Sequence, residues 1–173
     1  MKIYTKRGDK GSTSLFDCST VSKSSLLIDL LGDIDELNSF VGIITTTKIT
    51  LIHDIQNWLF DLGTVIANPR KKYNFDIDLV FTKILENEID EMTEKLPKLS
   101  NFILPTGNIH LSRAITRRCE RKMVAVKEIH DYIDDNCLIF LNRLSDFLFT
   151  LARYENKEEN TLIYKKSDIL SLI

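Results

Sequence analysis

The fold is decided by one stretch, His110-Leu-Ser-Arg113-Ala-Ile-Thr-Arg117-Arg118-Cys-Glu120-Arg121-Lys-Met-Val124, in which apolar residues recur at helical spacing. At about 100° per residue, one side of the predicted helix is apolar. It carries Leu111, Ile115, Cys119, Met123 and, just beyond the stretch, Val126. The opposite side carries Arg113, Arg117, Glu120 and Val124, with Arg121 on its flank. The pattern predicts an amphipathic helix with one face against a core and the other rich in positive charge.

The charged face has two possible interpretations. Arg113 and Arg117 lie about one turn apart. A guanidinium group is permanently charged and can bind two phosphate oxygens at once. With Glu120 close enough to orient them, such a face suits a polyphosphate. The same pattern is also typical of a solvent-exposed surface with ion pairs between residues four apart. This helix by itself leaves both interpretations open.

The remaining sequence predicts a helical bundle. Hydrophobic spacing favours helices from about Asp33 to Thr46, from Leu51 to about Ile66, from Val80 to a stop before Pro97, from the opening stretch to about Asp131, and from Leu138 to Arg153. The last is the most hydrophobic and is expected at the bundle centre. We therefore predict an all-α, up-and-down five-helix bundle with an extended, glycine-containing N-terminal arm. Residues 1–173 form one domain, with the arm at 1–23, the bundle at 24–155 and a C-terminal tail at 156–173.

Composition narrows the classes of function. A formal net charge of −2 gives no general affinity for nucleic acid or an anionic membrane, so neither is expected as a partner. No apolar run approaches the ~20 residues that a membrane span needs. The three cysteines, Cys18, Cys119 and Cys137, are widely spaced and predict buried thiols in a reducing compartment rather than disulfides or a zinc site. A soluble, cytoplasmic protein is expected.

The N-terminal arm has the composition of a phosphate-binding loop without a standard motif. It reads Lys6-Arg7-Gly8-Asp9-Lys10-Gly11-Ser12-Thr13-Ser14. Glycines let backbone N–H groups approach an anion closely, and the hydroxyl groups can bond phosphate oxygens or hydrated Mg²⁺. The stretch does not match GxxxxGK[ST], so an ordinary surface turn remains the alternative.

Polar residues on two other helices have open roles. Asp33, Asp35, Glu36 and Asn38 lie in the first turns of the predicted first helix, where they either complement its dipole or pair with an arginine of the opening stretch. The last helix carries a polar stripe of Asn142, Asp146 and Arg153. An asparagine there could bond a nucleoside or a neighbouring helix, because buried polar groups need partners.

Four blocks occur together in one order: Tyr4–Thr13, Gly32–Ser39, Arg117–Arg121 and Leu141–Asp146. With these blocks the chain resembles the PduO-type ATP:cob(I)alamin adenosyltransferases. The resemblance implies a five-helix bundle assembled as a homotrimer, with ATP bound between neighbouring subunits. It also implies that Mg²⁺ is held mainly through ATP, with no protein metal site.

The resemblance implies a role for each matching residue. The ATP-binding residues would be Thr5, Lys6, Arg7, Gly8, Thr13, Ser14, Lys23, Arg117, Arg118, Glu120, Arg121 and Asn142. Arg117 would also be catalytic, together with Phe102, which would pack under the corrin and keep a lower axial ligand off cobalt. Asp35 and Arg113 would form an ion pair across a subunit interface.

The implied reaction moves the 5′-deoxyadenosyl group of ATP onto cob(I)alamin, giving adenosylcobalamin and triphosphate. The cobalt is itself the nucleophile. The protein therefore has to hold the C5′ carbon in line with cobalt, to stabilise the charge on the departing triphosphate and to remove the axial ligand of cobalt. A reductase and a cobalamin-dependent enzyme are expected as further partners. The lead-in from Pro105 to His110 is shorter than is usual in the family, which motivates an alternative: a protein that stores or delivers ATP and adenosylcobalamin with little turnover. A purely structural helical oligomer is a third hypothesis.

Overall fold

The computed structural model describes Tyr4, residues 6–156 and residues 162–165, with only the main chain at Ile49. Its elements in chain order are β1 (Ser12–Ser14), β2 (Thr20–Ser22), α1 (Leu26–Val41), α2 (Ile49–Ile66), α3 (Val80–Glu94), α4 (Gly107–Lys127) and α5 (Asp135–Asn156). A single 3-10 turn, Ile77–Leu79, precedes α3. The predicted all-α five-helix bundle with an extended arm is confirmed.

The helices do not pack in chain order. Helix α4 lies between α1 and α5, α3 packs against α5, and α2 packs against α1. Trp58 of α2 stacks on Phe81 of α3 with 4.6 Å between ring centroids, which brings the two outer helices together. The opening stretch therefore lies in a helix with a neighbour on each side.

Helix α1 differs from its predicted bounds, Asp33 to Thr46, at both ends. It begins at Leu26 because the Ser25 side chain caps it, accepting a hydrogen bond from the Ile28 N–H at 3.4 Å. It ends at Val41, where the Asn38 amide donates to the Gln56 carbonyl at 3.1 Å and the Gln56 amide donates back to the Asn38 carbonyl at 3.2 Å. Asp33, Asp35 and Glu36 consequently lie in mid-helix, where the effect of the helix dipole is weak, and Asp29 is the acid of the first turn.

The core face of α4 is as predicted except at its first apolar residue. Ile115, Cys119, Met123 and Val126 are buried, whereas Leu111 is 47% exposed. In the first turns Ile109, Ser112 and Thr116 occupy the buried side instead. Both hydroxyls bond the carbonyl one turn back, Ser112 to Asn108 at 3.0 Å and Thr116 to Ser112 at 2.9 Å, so small polar groups can be buried there.

The remaining helix ends shift by one turn or less. Helix α3 ends at Glu94, before Pro97, and α4 ends at Lys127, before Asp131. Helix α5 extends beyond its predicted bounds at both ends, to Asp135 and Asn156, and packs between α4 and α3 with most of its apolar residues buried. No helix in the described part of the chain is long and apolar enough to cross a membrane.

The arm is a short antiparallel hairpin docked on the bundle. Strands β1 and β2 pair with Ser12 opposite Ser22 and Ser14 opposite Thr20. Leu15 is buried in the core, and the Phe16 N–H donates to the carbonyl of Ala67 just beyond α2 at 2.9 Å. Asp17 pairs with Arg70 at 3.1 Å. These contacts hold the base of the arm and leave its glycine-containing end on the surface.

A piece of the C-terminal tail pairs with the loop before α4. Ile103 and Ile163 form an antiparallel bridge, with the Leu104 N–H donating to the Leu162 carbonyl at 2.7 Å and the Tyr164 N–H to the Phe102 carbonyl at 2.8 Å. This pairing fixes the backbone on both sides of Ile103. The rest of the predicted tail beyond Asn156 lies outside the described residues.

Candidate functional site

The polar faces of α4 and α5 form one continuous surface. Arg117 and Arg121 are exposed on α4, and an Arg121 guanidinium N–H donates to the Arg117 carbonyl at 3.1 Å. From α5 the Asn142 amide nitrogen donates to a Glu120 carboxylate oxygen at 2.8 Å. Four of the predicted site residues thus share one surface, with two guanidinium groups facing solvent around a carboxylate–amide pair.

Arg118 faces the opposite neighbour, α1. Its Nε lies 3.1 Å from the Asp33 carboxylate, and a terminal nitrogen contacts Glu36. Neither Arg118 Nε nor Asp33 Oδ2 has a hydrogen-bond partner among the described residues, so their contact is an ion pair without a hydrogen bond. The suggestion that acids of the first helix pair with an arginine of the opening stretch is therefore confirmed within the chain.

Lys122 extends this ionic network by one turn. Its ammonium nitrogen lies 2.5 Å from Asp29 and 2.8 Å from Asp33. Burial, the largest single effect, lowers the pKa of Lys122, but the adjacent Asp29 and Asp33 carboxylates outweigh that effect and raise the pKa. Asp33 is only 8% exposed and has two cations beside it. The spacing of Arg118 and Lys122 could have indicated this second charged face, but sequence analysis did not use it.

The end of the arm encloses a polar cleft of about 440 Å³, lined by Arg7, Gly8, Ser12, Thr13, Ser14 and Thr20. Lys23 lies beside it: its backbone N–H donates to Gly11 at 2.9 Å, and its ammonium group approaches Gly8 so closely that a Cβ there would lie 3.0 Å from Nζ. Lys6 precedes the cleft with a positive φ of 60°. The predicted arm residues are thus brought together, except Thr5, which lies outside the described residues.

Phe102 projects from the loop that the C-terminal segment pairs with. Its side chain is 82% exposed, so it does not belong to the hydrophobic core. The neighbouring apolar cleft is lined by Leu96, Pro97, Leu99, Ile103, Arg153 and Ile163, among others. Arg153 donates to the Pro97 carbonyl at 2.8 Å, which gives this member of the α5 polar stripe a structural partner.

Arg113 lies over an aromatic ring. Its guanidinium carbon is 5.4 Å from the centroid of Phe149, and the His110 ring meets the same phenyl ring edge-on at 6.0 Å. Burial and the nearby Arg117 lower the pKa of Arg113. The ring cluster of Phe149 and His110 was not recognised from the sequence, where Phe149 was treated as part of a hydrophobic helix.

Asp35 is exposed on the outer side of α1. It lines a groove together with the exposed aromatic residues Phe16 and Phe60. Within the described residues Asp35 and Arg113 form no ion pair with each other. Their pairing across a subunit interface stays a prediction.

Of the three cysteines that were predicted to be buried, Cys119 and Cys137 are buried and Cys18 is exposed. Burial raises the pKa of Cys119 to about 12 and that of Cys137 to about 12, so both stay protonated at neutral pH. In the described part of the chain no cluster of three or more His, Cys, Asp or Glu side chains could hold a metal ion. The available groups are cations, hydroxyls and amides, which can bind and polarise an anionic substrate.

The structure thus combines a helical bundle, an exposed guanidinium face and a polar cleft in the arm, and the last two suit an anionic ligand. The profile of the cobalamin adenosyltransferase family matches residues 3–155. The chain belongs to the cobalamin adenosyltransferase family.

Individual relatives agree with that assignment. The corrinoid adenosyltransferase of Bacillus subtilis (strain 168) is 38% identical, across 90% of this chain and 87% of that protein. Corrinoid adenosyltransferase MMAB of Bos taurus is 38% identical, across 97% of this chain and 78% of that protein. A variant PduO-type ATP:corrinoid adenosyltransferase from Lactobacillus reuteri, solved with cobalamin and ATP, superposes with a TM-score of 0.86 at 36% identity, covering 95% of this chain and 100% of that one.

Proposed function

We propose that this protein transfers the 5′-deoxyadenosyl group of ATP to cob(I)alamin. The cobalt–C5′ bond forms with both electrons from Co(I), and the C5′–oxygen bond breaks with its electron pair leaving on triphosphate. The proposal rests on one observation: a chain of this family combines the exposed Arg117 and Arg121 with the polar arm cleft. Both features supply positive charge where triphosphate would depart.

The arm is proposed to hold the triphosphate. Lys6, Arg7 and Lys23 supply charge, while Gly8 permits close approach and Thr13 and Ser14 supply hydroxyl donors. Thr5 is assigned to the same site by resemblance alone. Because the resemblance implies ATP bound between neighbouring subunits, the site is proposed to form where the arm of one subunit meets the α4–α5 face of another.

The α4–α5 face is proposed to bind the rest of the nucleotide. Arg117 is assigned to stabilise the charge that develops on triphosphate, with Arg121 beside it. Glu120 and Asn142 are assigned to the nucleoside side of the same surface. Arg118 is also proposed to bind ATP. Its contacts with Asp33 and Glu36 give the same side chain a structural role that competes with ATP binding.

Magnesium is proposed to accompany ATP. The hydroxyl groups of Ser12, Thr13 and Ser14 in the arm cleft suit a hydrated ion, and ATP oxygens would be its main ligands. When bound, the ion neutralises charge on the triphosphate.

Phe102 is proposed to meet the corrin. An exposed phenyl ring on a loop with a fixed backbone can cover the lower face of cobalt and keep water or another ligand away. Removing that ligand makes Co(II) easier to reduce, which is how the residue would contribute to catalysis without touching ATP.

The assembly is proposed to be a homotrimer in the cytoplasm, with Asp35 of one subunit paired to Arg113 of the next. The exposed Phe16 and Phe60 beside Asp35 support a subunit contact on this side of α1, because adjoining exposed aromatic groups are typical of interfaces. A reductase that supplies Co(I) and a cobalamin-dependent enzyme that receives the product are the proposed partners.

Turnover tests the proposal directly. The purified protein with ATP, Mg²⁺ and chemically reduced cobalamin should yield adenosylcobalamin and triphosphate in equal amounts. Folded protein that gives no product would contradict it, and tight binding of adenosylcobalamin without turnover would favour storage or delivery instead. If calorimetry detects binding of neither ATP nor cobalamin, the hypothesis of a purely structural oligomer is favoured.

A further inference from the structure

Glu120 is an unexpected group in a site for triphosphate. A carboxylate repels phosphate oxygens, and in this structure its hydrogen-bonding partner is the Asn142 amide rather than either neighbouring arginine side chain. Glu120 is half-buried and Asn142 is exposed, so the pair lies at the surface where α4 and α5 meet. A role through Asn142 explains the carboxylate better than direct contact with ATP.

The chemistry of the pair fixes the direction of the amide. A carboxylate only accepts hydrogen bonds, so it can bond only the NH₂ side of an asparagine amide. The Nδ2–Oε1 distance of 2.8 Å matches that arrangement. Since the amide is planar, with oxygen and nitrogen on different sides, the Asn142 carbonyl oxygen is turned away from Glu120. Without the carboxylate, either end of the amide could face outward.

We infer that Glu120 is a positioning residue that orients Asn142, so that the Asn142 carbonyl oxygen accepts a hydrogen bond from the bound nucleoside. The inference rests on the proposed ATP site and adds a reason why that site would prefer ATP to other nucleotides. The ligand must present a donor at this point, which in ATP is the exocyclic amine of adenine or a ribose hydroxyl. An acceptor or a hydrogen at the same point leaves the oxygen unpaired, which disfavours binding.

Nucleotide analogues test this selection. Calorimetric titrations with Mg²⁺ present compare ATP with inosine triphosphate, 2′-deoxy-ATP and 3′-deoxy-ATP, each of which lacks one donor. The wild-type protein should bind one analogue about tenfold or more weakly than ATP, and that analogue identifies the donor. Equal binding of all four nucleotides overturns the inference. Failure to bind any nucleotide overturns the proposed function as well, so the two failures are distinguishable.

Exchanging the two side-chain chemistries tests the role of Glu120. Asn142→Asp places two carboxylates against each other and should abolish the discrimination between ATP and the weakly bound analogue. Glu120→Gln lets the amide pair form in either sense and should reduce it. The double variant Glu120→Gln/Asn142→Asp restores a donor–acceptor pair with an oxygen facing outward, and should recover the wild-type ratio of dissociation constants to within about threefold.

The control is Asp146→Asn, which removes one negative charge from the same face of α5. Asp146 pairs with Arg143 at 2.7 Å, whereas Asn142 bonds to Glu120, so the discrimination between ATP and the analogue should be unchanged. A double variant no better than Asn142→Asp alone, or a control that loses discrimination equally, overturns the inference. Melting temperatures of all variants establish that each is folded.

Discussion

At the scale of single residues, Arg117 and Arg118 are adjacent in sequence and have different surroundings. The Arg117 side chain is exposed on the α4–α5 face, whereas Arg118 contacts Asp33 and Glu36 of α1. The two guanidinium groups point to different neighbours because successive residues are about 100° apart on a helix. The resemblance implies ATP binding for both, whereas the contacts give Arg118 partners within the chain and leave the Arg117 side chain exposed.

Alanine substitutions should separate these roles. Arg118→Ala leaves the nearly buried Asp33 with one cation fewer, and should lower the free energy of unfolding by about 1–2 kcal/mol. Arg117→Ala removes an exposed side chain and should change stability by less than about 0.5 kcal/mol, while turnover falls at least about 100-fold. Urea unfolding and steady-state kinetics measure the two effects. A stable Arg118→Ala protein with a raised KM for ATP would favour direct binding instead.

His110 should make stability depend on pH. Burial lowers its pKa from the ordinary 6.5, with a further effect from Arg113, and its Nδ1 has no hydrogen-bond partner among the described residues. Since the folded pKa lies below the unfolded one, the unfolded chain binds the proton more readily. The contribution of neutral His110 is present above pH 6.5 and is lost as the pH falls through the folded pKa.

The variant His110→Phe removes this titration and keeps an aromatic ring beside Phe149. Between pH 7.5 and pH 5 the urea midpoint of the wild-type protein should fall further than that of the variant. Parallel pH profiles for the two proteins would show that His110 does not titrate in this range. Asp17 and Asp135, whose pKa values are lowered from 3.8 mainly by hydrogen bonds to Ser19 and Lys127 respectively, act at more acidic pH and do not confound the comparison.

At the scale of elements, the hairpin arm depends on two different kinds of contact. Leu15 and the Phe16–Ala67 hydrogen bond secure its base, whereas Gly8 and Lys23 shape its exposed end. The base contributes to stability, and the end contributes the cleft. A change at the end should therefore affect ligand binding with little effect on folding.

Gly8→Ala tests that separation. A Cβ would lie 3.0 Å from Nζ and 3.2 Å from Cε of Lys23, so the flexible end of the lysine must move away. ATP binding should weaken by about twofold to tenfold through loss of a charge-assisted contact, with an unchanged melting temperature. The matched control is Gly32→Ala in α1, where no atom lies within 4 Å of the new Cβ. It should leave ATP affinity unchanged and stabilise the helix by up to about 1 kcal/mol.

At the scale of the whole molecule, the arm cleft and the α4–α5 face are separate parts of one chain. The exposed groove around Asp35, with Phe16 and Phe60 beside it, favours a site completed by a second subunit. Arg113 lies over Phe149 of its own chain, so this residue of the proposed interface also contacts the bundle behind it. The assembly and the active site are therefore expected to be disrupted together.

Asp35→Asn should weaken subunit association and ATP binding in parallel, because an ion pair across the interface loses its charge. The expected cost is about 2–5 kcal/mol per contact, which sedimentation velocity over a range of concentrations and ATP titration can measure. Asp54→Asn on the exposed surface of α2 is the charge-matched control and should leave both properties unchanged. A fully assembled Asp35→Asn protein would contradict the proposed interface.

The sequence by itself determined the five helices, the charged face of α4 and the family. Helical periodicity is local, so the burial of Ile115, Cys119 and Met123 follows from residue spacing alone. The predicted bounds were less accurate where capping decided them, as at Ser25, because a cap depends on individual side-chain bonds.

Only the tertiary structure decided which charged groups meet. Arg118 and Glu36 are 82 residues apart, and no local pattern specifies that α4 packs against α1 with Arg118 facing it. The same holds for the approach of Lys23 to Gly8 and for the pairing of the C-terminal segment beside the exposed Phe102. Periodicity indicates which face of a helix is polar, but the packing of distant segments decides whether a charge on that face binds a neighbouring helix or remains available to a ligand.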